Sequence, residues 1–169
     1  FFDEMVTRDG EKFVPTAIKK CDEIIDSISG YLDETAAGDM EHLNNILQLV
    51  KKKIEFRYEF KQAYAQKDYS TLTRIANDTI PELISLVKAF NSSFRRQYVN
   101  CAKVYGLDRI QLRNGGLIAR LEECSTQIME FVNKKVDHIP ELEQLLKTKS
   151  IILYFLLFPP PMCLTVILP

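Results

Sequence analysis

Tryptophan is missing from this chain, histidine occurs only twice, and no charged residue stands in the last twenty positions, Ser150 to Pro169. The two histidines, His42 and His138, fall in different segments without flanking ligands. Each reads as a surface or helix-end residue, and no metal site is expected. The four cysteines, Cys21, Cys101, Cys124 and Cys163, are scattered without a Cys-x-x-Cys pair, a spacing that fits neither a zinc site nor a dense disulfide framework. Reduced cysteines in a cytoplasmic protein are the simpler account. No G-x-S-x-G, P-loop or dinucleotide fingerprint is present, so no cofactor is expected. Two Asn-x-Ser/Thr matches, at Asn77 and Asn91, would matter only in a secreted chain. No charged region followed by an apolar core opens the sequence, so no secretory signal is visible.

Charge of one sign is also missing. Lysine and arginine total 22 against 23 acidic residues, so no global field favours nucleic acid or an anionic membrane. The densest basic spot, Lys51-Lys52-Lys53 with Arg57 and Lys61, shares its segment with alternating apolar residues and reads as a solvated helix face. Acidic pairs occur at Asp3-Glu4, Asp22-Glu23 and Asp33-Glu34. Neighbours on a helix point about 100° apart, so adjacency alone places none of these pairs in a shared cleft. Ordinary solvation accounts for all three.

What is present is helical periodicity in a chain of 169 residues, enough for one domain with a substantial core. Ile18, Cys21, Ile25 and Ile28 follow Pro15, a residue suited to a first helical turn, and Gly30 suggests a stop. Leu43, Ile46, Leu47, Val50 and Ile54 form a second stripe that begins near Asp39 and runs on to Gln66. Ser70 can cap a short third helix. Pro81 lacks the donor for an interior hydrogen bond, so a kink or a fresh helix start is expected there. The pattern resumes through Leu83, Val87, Phe90, Phe94 and Tyr98 to Gly106. Leu117, Leu121, Cys124, Ile128 and Phe131 mark the next helix, and Pro140 opens a short last one, Glu141 to Lys147.

Outside the tail, β-branched and polar residues nowhere alternate over strand length. The expectation is an all-α, mostly antiparallel bundle of four to five main helices, with breaks near residues 30–38, 67–70, 104–108 and 137–140. It forms a single domain over residues 1–149, followed by the charge-free apolar tail, 150–169. Three prolines near the middle of that tail argue against a membrane-spanning helix. The abrupt change in composition reads first as a non-native extension. A strand pairing with a missing part of the parent protein, or a contact between copies, are the alternatives. The chain opens on Phe1 rather than methionine, and is read as a piece of something longer.

Two adjacent glycines stand out in "LRNGGLIARLEE", residues 112 to 123, since each costs a helix interior about 1 kcal/mol relative to alanine. Gly115 and Ala119 are four apart, and with Gly116 they are candidates for close packing, where another backbone or an aromatic ring approaches. The alternative is a helix that starts at or after Gly116. Gly115-Gly116 lacks the further glycines and the preceding strand of a phosphate-cradling loop. Neither reading makes Arg113 or Arg120 catalytic.

The longer run "YVNCAKVYGLDRIQLRNGGLIARLEE" resembles a segment of the C-terminal helical domain of β-N-acetylhexosaminidases of glycoside hydrolase family 20. Those domains carry an aromatic-Leu pair, a Lys-Pro-Phe-Gly turn and an Arg-x-Gly-Gly-Leu-x-Ala-Arg-Leu run. Tyr98-Val99 occupies the first place and Lys103-Val104-Tyr105-Gly106 the second. Arg113, Gly115, Gly116, Leu117, Ala119, Arg120 and Leu121 match the third without a gap. Tyr98 stands where tryptophan is usual and Val104 replaces the proline, which makes this a divergent member. Ala63-Tyr64 and Pro81-Glu82-Leu83 are weaker matches. The resemblance spans residues 1 to 146 in helix order and is specific over 95 to 125; the tail matches nothing in the family.

The resemblance implies a parent enzyme that removes terminal β-linked N-acetylhexosamine from glycans. In that family the substrate's own acetamido group attacks the anomeric carbon, positioned by an Asp, while a neighbouring Glu is the general acid. Those residues sit on a (β/α)-barrel whose strands this sequence lacks, so no catalytic residue maps onto it. The implied role is a non-catalytic helical domain packed on the catalytic barrel of the parent chain. Without the barrel, such a bundle should expose an apolar patch that favours self-association. The competing reading is a free-standing helical adaptor that binds other proteins.

Overall fold

Val14–Ser29 forms the first helix, α1, because Pro15 fixes the helical φ in the first turn, where its missing N–H costs nothing. Cys21 and Ile28 then fall on its buried side. The computed structural model describes residues 13–31, 37–101 and 105–143. The chain divides into two units, Asp3–Ile139 and Pro140–Pro169. The second contributes only the four-residue helix α6, Pro140–Glu143, to the described residues. The expected extension of that helix to Lys147, the tail 150–169, and the pairs Asp3-Glu4 and Asp33-Glu34 lie outside them.

In the first unit α2 spans Ala37–Gln66, α3 Tyr69–Arg74, α4 Ile80–Cys101 and α5 Leu107–Val132. No strand occurs among the described residues, so the fold is the expected all-α bundle. Lys67, with φ 54°, ends α2, and Asp68 caps α3 by accepting from the backbone N–H groups of Ser70 and Thr71, each at 3.1 Å. The cap is therefore Asp68 and not Ser70. Its carboxyl is held below the usual carboxylate range, first by the Thr71 hydroxyl and then by these amides.

Pro81 does not break the chain. A π turn, Ile75–Thr79, joins α3 to α4, and both flanking residues keep right-handed helical backbone. The Ile80 N–H donates to the Ile75 carbonyl, five residues back. That widened register accommodates a residue with no N–H, and the expected fresh start appears as α4 beginning at Ile80 directly after the π turn.

Pairs across the helices fix their directions. His42 meets Ser93, Gln97 reaches Asp39, and Lys52 meets Glu82. As α2 numbers rise α4 numbers fall, so these helices are antiparallel. Asn91–Asn114 and Tyr98–Tyr105 show the same for α4 and α5. Between the helices lies a core of Phe56, Leu72, Ile75, Leu83, Leu121 and Ile128, each no more than 2% exposed. Burying each such side chain stabilises the fold by about 1.5–3 kcal/mol. An aromatic row crosses it: Phe56 stacks on Phe60 with centroids 5.6 Å apart, and Tyr64 meets Phe131 at 5.0 Å.

Two details of the expected pattern change. Leu43 and Val50 of the α2 stripe are exposed, and the buried positions lie further along, at Phe56, Phe60 and Ala63. The last break covers the expected residues 137–139 but begins earlier, at Asn133, just after α5.

Candidate functional site

The Gly-Gly sequence sits in the third turn of α5, well inside the helix. The helix start is set by Gly106, whose φ of 96° is left-handed. A side chain at this position would be strained, and its Cβ would stand 3.2 Å from the Tyr98 hydroxyl oxygen. That hydroxyl donates to the Tyr105 carbonyl and ties the turn to α4. Lys103 and Val104, which precede it, lie outside the described residues. Immediately before the glycines, the Asn114 side-chain N–H donates to the side-chain carbonyl of Asn91 and ties α5 to α4.

The rotation of α5 in the bundle decides what the glycines can meet. Leu121, Cys124 and Ile128 face the core. Gly115 lies about 200° round the helix from Leu117 and so points away from the bundle. Gly115, Gly116 and Ala119 are all exposed, and a Cβ built on either glycine meets nothing within 4 Å. The expected approach of another segment of this chain is therefore not found among the described residues. Nor does the helix start at the glycines. They border an open hollow shared with Asp108, Gln111 and Leu112. Overpacking by a larger residue, the cost expected of an enclosed site, does not arise here.

The other candidates resolve separately. Arg113 and Arg120 are exposed. Asp22 pairs with Lys51 across α1 and α2, and Glu23 with Lys19 within α1, so this acidic pair points to two different cations. The hydrogen bond that Lys51 donates to the Asp22 carboxylate holds its ammonium above the usual lysine range. Lys52 pairs with Glu82 at 2.5 Å. Lys51 and Lys52 of the basic run on α2 are thus engaged within the bundle. No group of three or more His, Cys, Asp and Glu is placed to hold a metal ion among the described residues. Cys21 and Cys124 are buried free thiols, and Cys101 is an exposed one.

His42 is not a surface residue. It lies half-buried in the second turn of α2, its ring stacked on Phe90 at 5.4 Å and near Phe94 at 5.8 Å. Its Nδ1 is 2.9 Å from the Ser93 hydroxyl, which donates its own proton to the Phe90 carbonyl at 3.1 Å. Burial lowers the His42 pKa, against the opposing pull of Asp39 and Glu41. The signal was in the sequence: His42 stands four residues before Ile46, on the same helical line. His138 is exposed, beyond α5.

By architecture this is an all-α bundle, whose described residues cover one side of α5 and leave the other open. The chain belongs to the glycoside hydrolase 20C C-terminal domain family, whose model matches residues 1–149. Membership of a C-terminal domain family implies a catalytic domain as partner. No individually curated relative matches the chain. Among the described residues no helix is long and apolar enough to cross a membrane.

Proposed function

We propose that this chain is the non-catalytic C-terminal domain of a β-N-acetylhexosaminidase-like glycoside hydrolase. The parent enzyme would remove terminal β-linked N-acetylhexosamine from glycans. The observation that carries the reading is the family match over residues 1–149. It is supported by where the acidic residues stand. Glycoside cleavage needs two groups set around a sugar, whereas Asp22 and Glu23 are spent on Lys51 and Lys19. The domain's contribution is then structural: it supports a catalytic barrel that carries the reacting groups. A cytoplasmic setting fits the free thiols of Cys21, Cys101 and Cys124.

The test is hydrolysis of a chromogenic β-N-acetylglucosaminide by the purified chain and by the longer polypeptide with its catalytic domain. Activity in the longer polypeptide alone is the expected result. Turnover by this chain would overturn the non-catalytic assignment. Activity in neither would favour the helical adaptor.

A further inference from the structure

Helix α5 carries apolar or small residues on two opposite sides, and the bundle covers only one of them. Leu121 is 1% exposed in the core, while Leu112 is 74% exposed. The two are nine residues apart, which is about 180° round a helix. Gly115 and Ala119 continue the outer line from Leu112 at helical spacing, with Gly116 beside them. Neither glycine is needed by the local backbone, since among the described glycines only Gly106 has positive φ. Among the described residues neither makes room for a side chain of this chain, because a Cβ at either would meet nothing within 4 Å. Glycine weakens a helix interior. What the pair permits is a close approach from outside the bundle.

We propose that the outer face of α5, centred on Leu112, Gly115, Gly116 and Ala119, is where the catalytic domain of the same polypeptide docks. The inference rests on the hydrolase reading above. An apolar side chain of that domain would sit over the two glycines and cover Leu112. The family is by its description a C-terminal domain, so a catalytic domain shares its chain and reaches this face at the high effective concentration that covalent linkage gives. The composition of the face agrees. Arg109 and Arg113, one turn apart on its flank, are both exposed. An apolar centre with a charged rim is the anatomy of a protein interface. The docking surface should therefore offer carboxylates opposite these arginines.

Cysteine accessibility tests this directly. Ala119→Cys and, separately, Leu112→Cys are introduced with Cys101→Ser and Cys163→Ser to remove competing thiols. Both positions are exposed in the bundle, so its folding should survive. Maleimide labelling is followed in this chain and in the longer polypeptide, each rate taken relative to the denatured protein. The expected result is fast labelling here and labelling slowed about tenfold or more in the longer polypeptide. Equal rates in the two would overturn the proposal. Slow labelling here that speeds up on dilution would assign the face to a second copy. Slow labelling here at every dilution would assign it to this chain's own tail, and either result also overturns the proposal. Turnover of the chromogenic substrate by the longer polypeptide is read independently. Unprotected cysteines with intact turnover sink the docking face alone, and protected cysteines without turnover sink the hydrolase reading alone.

Discussion

The Ser125 hydroxyl of α5 donates to the carbonyl of Ala76 at 3.0 Å, and Pro81 explains why that carbonyl is available. In the π turn the Ile80 N–H goes to Ile75. The next partner for Ala76 in the same register would be residue 81, a proline with no N–H to give. Ala76 is only 2% exposed, so water does not reach the vacancy easily. A buried acceptor without a partner is costly, and a neighbouring helix supplies the donor.

Ser125→Ala should therefore destabilise the bundle by about 1–3 kcal/mol, the cost of an unsatisfied buried polar group. Urea unfolding measures it. Pro81→Ala restores an N–H five residues after Ala76. In that background Ser125→Ala should cost less, with a coupling of about 0.5 kcal/mol or more. Equal costs in the two backgrounds would show that Pro81 is not what leaves Ala76 short of a donor.

Gly115 within α5 and Gly106 at its N-cap should respond with opposite signs. Gly115→Ala replaces an exposed, mid-helix glycine with the best helix former, and should stabilise this chain by about 0.5–1 kcal/mol. Gly106→Ala forces a side chain into left-handed backbone and against the Tyr98 hydroxyl. It should cost about 1–2 kcal/mol. Thermal unfolding of the two variants separates them, and a loss of stability in Gly115→Ala would reveal an intrachain contact at that face.

His42 should make stability depend on pH. Burial lowers its pKa in the folded state, so the unfolded chain takes up a proton first as pH falls. Stability should then decline as pH drops through about 6.5, the unfolded value, and level off below the folded one. His42→Phe keeps the packing against Phe90 and Phe94 and removes the titration. Ser93 keeps its bond to the Phe90 carbonyl. Denaturant midpoints between about pH 7 and 5 should fall less steeply in the variant than in the parent. Identical slopes would locate the effect elsewhere.

Most helices were legible because each buries one face at a period of 3.6 residues. Leu121, Cys124 and Ile128 are spaced as the buried side of α5 requires. α2 was harder. Its buried residues, Phe56, Phe60 and Ala63, do not continue the line of Leu43 and Val50. This thirty-residue helix packs on α1, α4 and α3 along different stretches, so its covered side changes along its length. The π turn was illegible for a different reason. Its stability draws on Ser125, a residue 49 positions away that no local window contains. Gly115 was conspicuous in the sequence, but its outward direction follows only from the phase of Leu117 and Leu121.

Removing residues 150–169 should leave the bundle folded. The buried core of the described residues is complete by Ile139, which is 1% exposed. Its N–H donates to the Tyr64 hydroxyl at 3.0 Å, so the first unit also closes its last polar contact there. The family match ends at residue 149, and the twenty residues that follow carry no charge to oppose association. The truncated chain should keep the midpoint of the intact one and the slope of its urea transition, because that slope reports the surface exposed on unfolding. It should also be less prone to self-association in sedimentation experiments, since an uncharged apolar segment favours contacts between copies. A truncated chain with a shallower transition or a lower midpoint would show instead that the tail supplies part of the core.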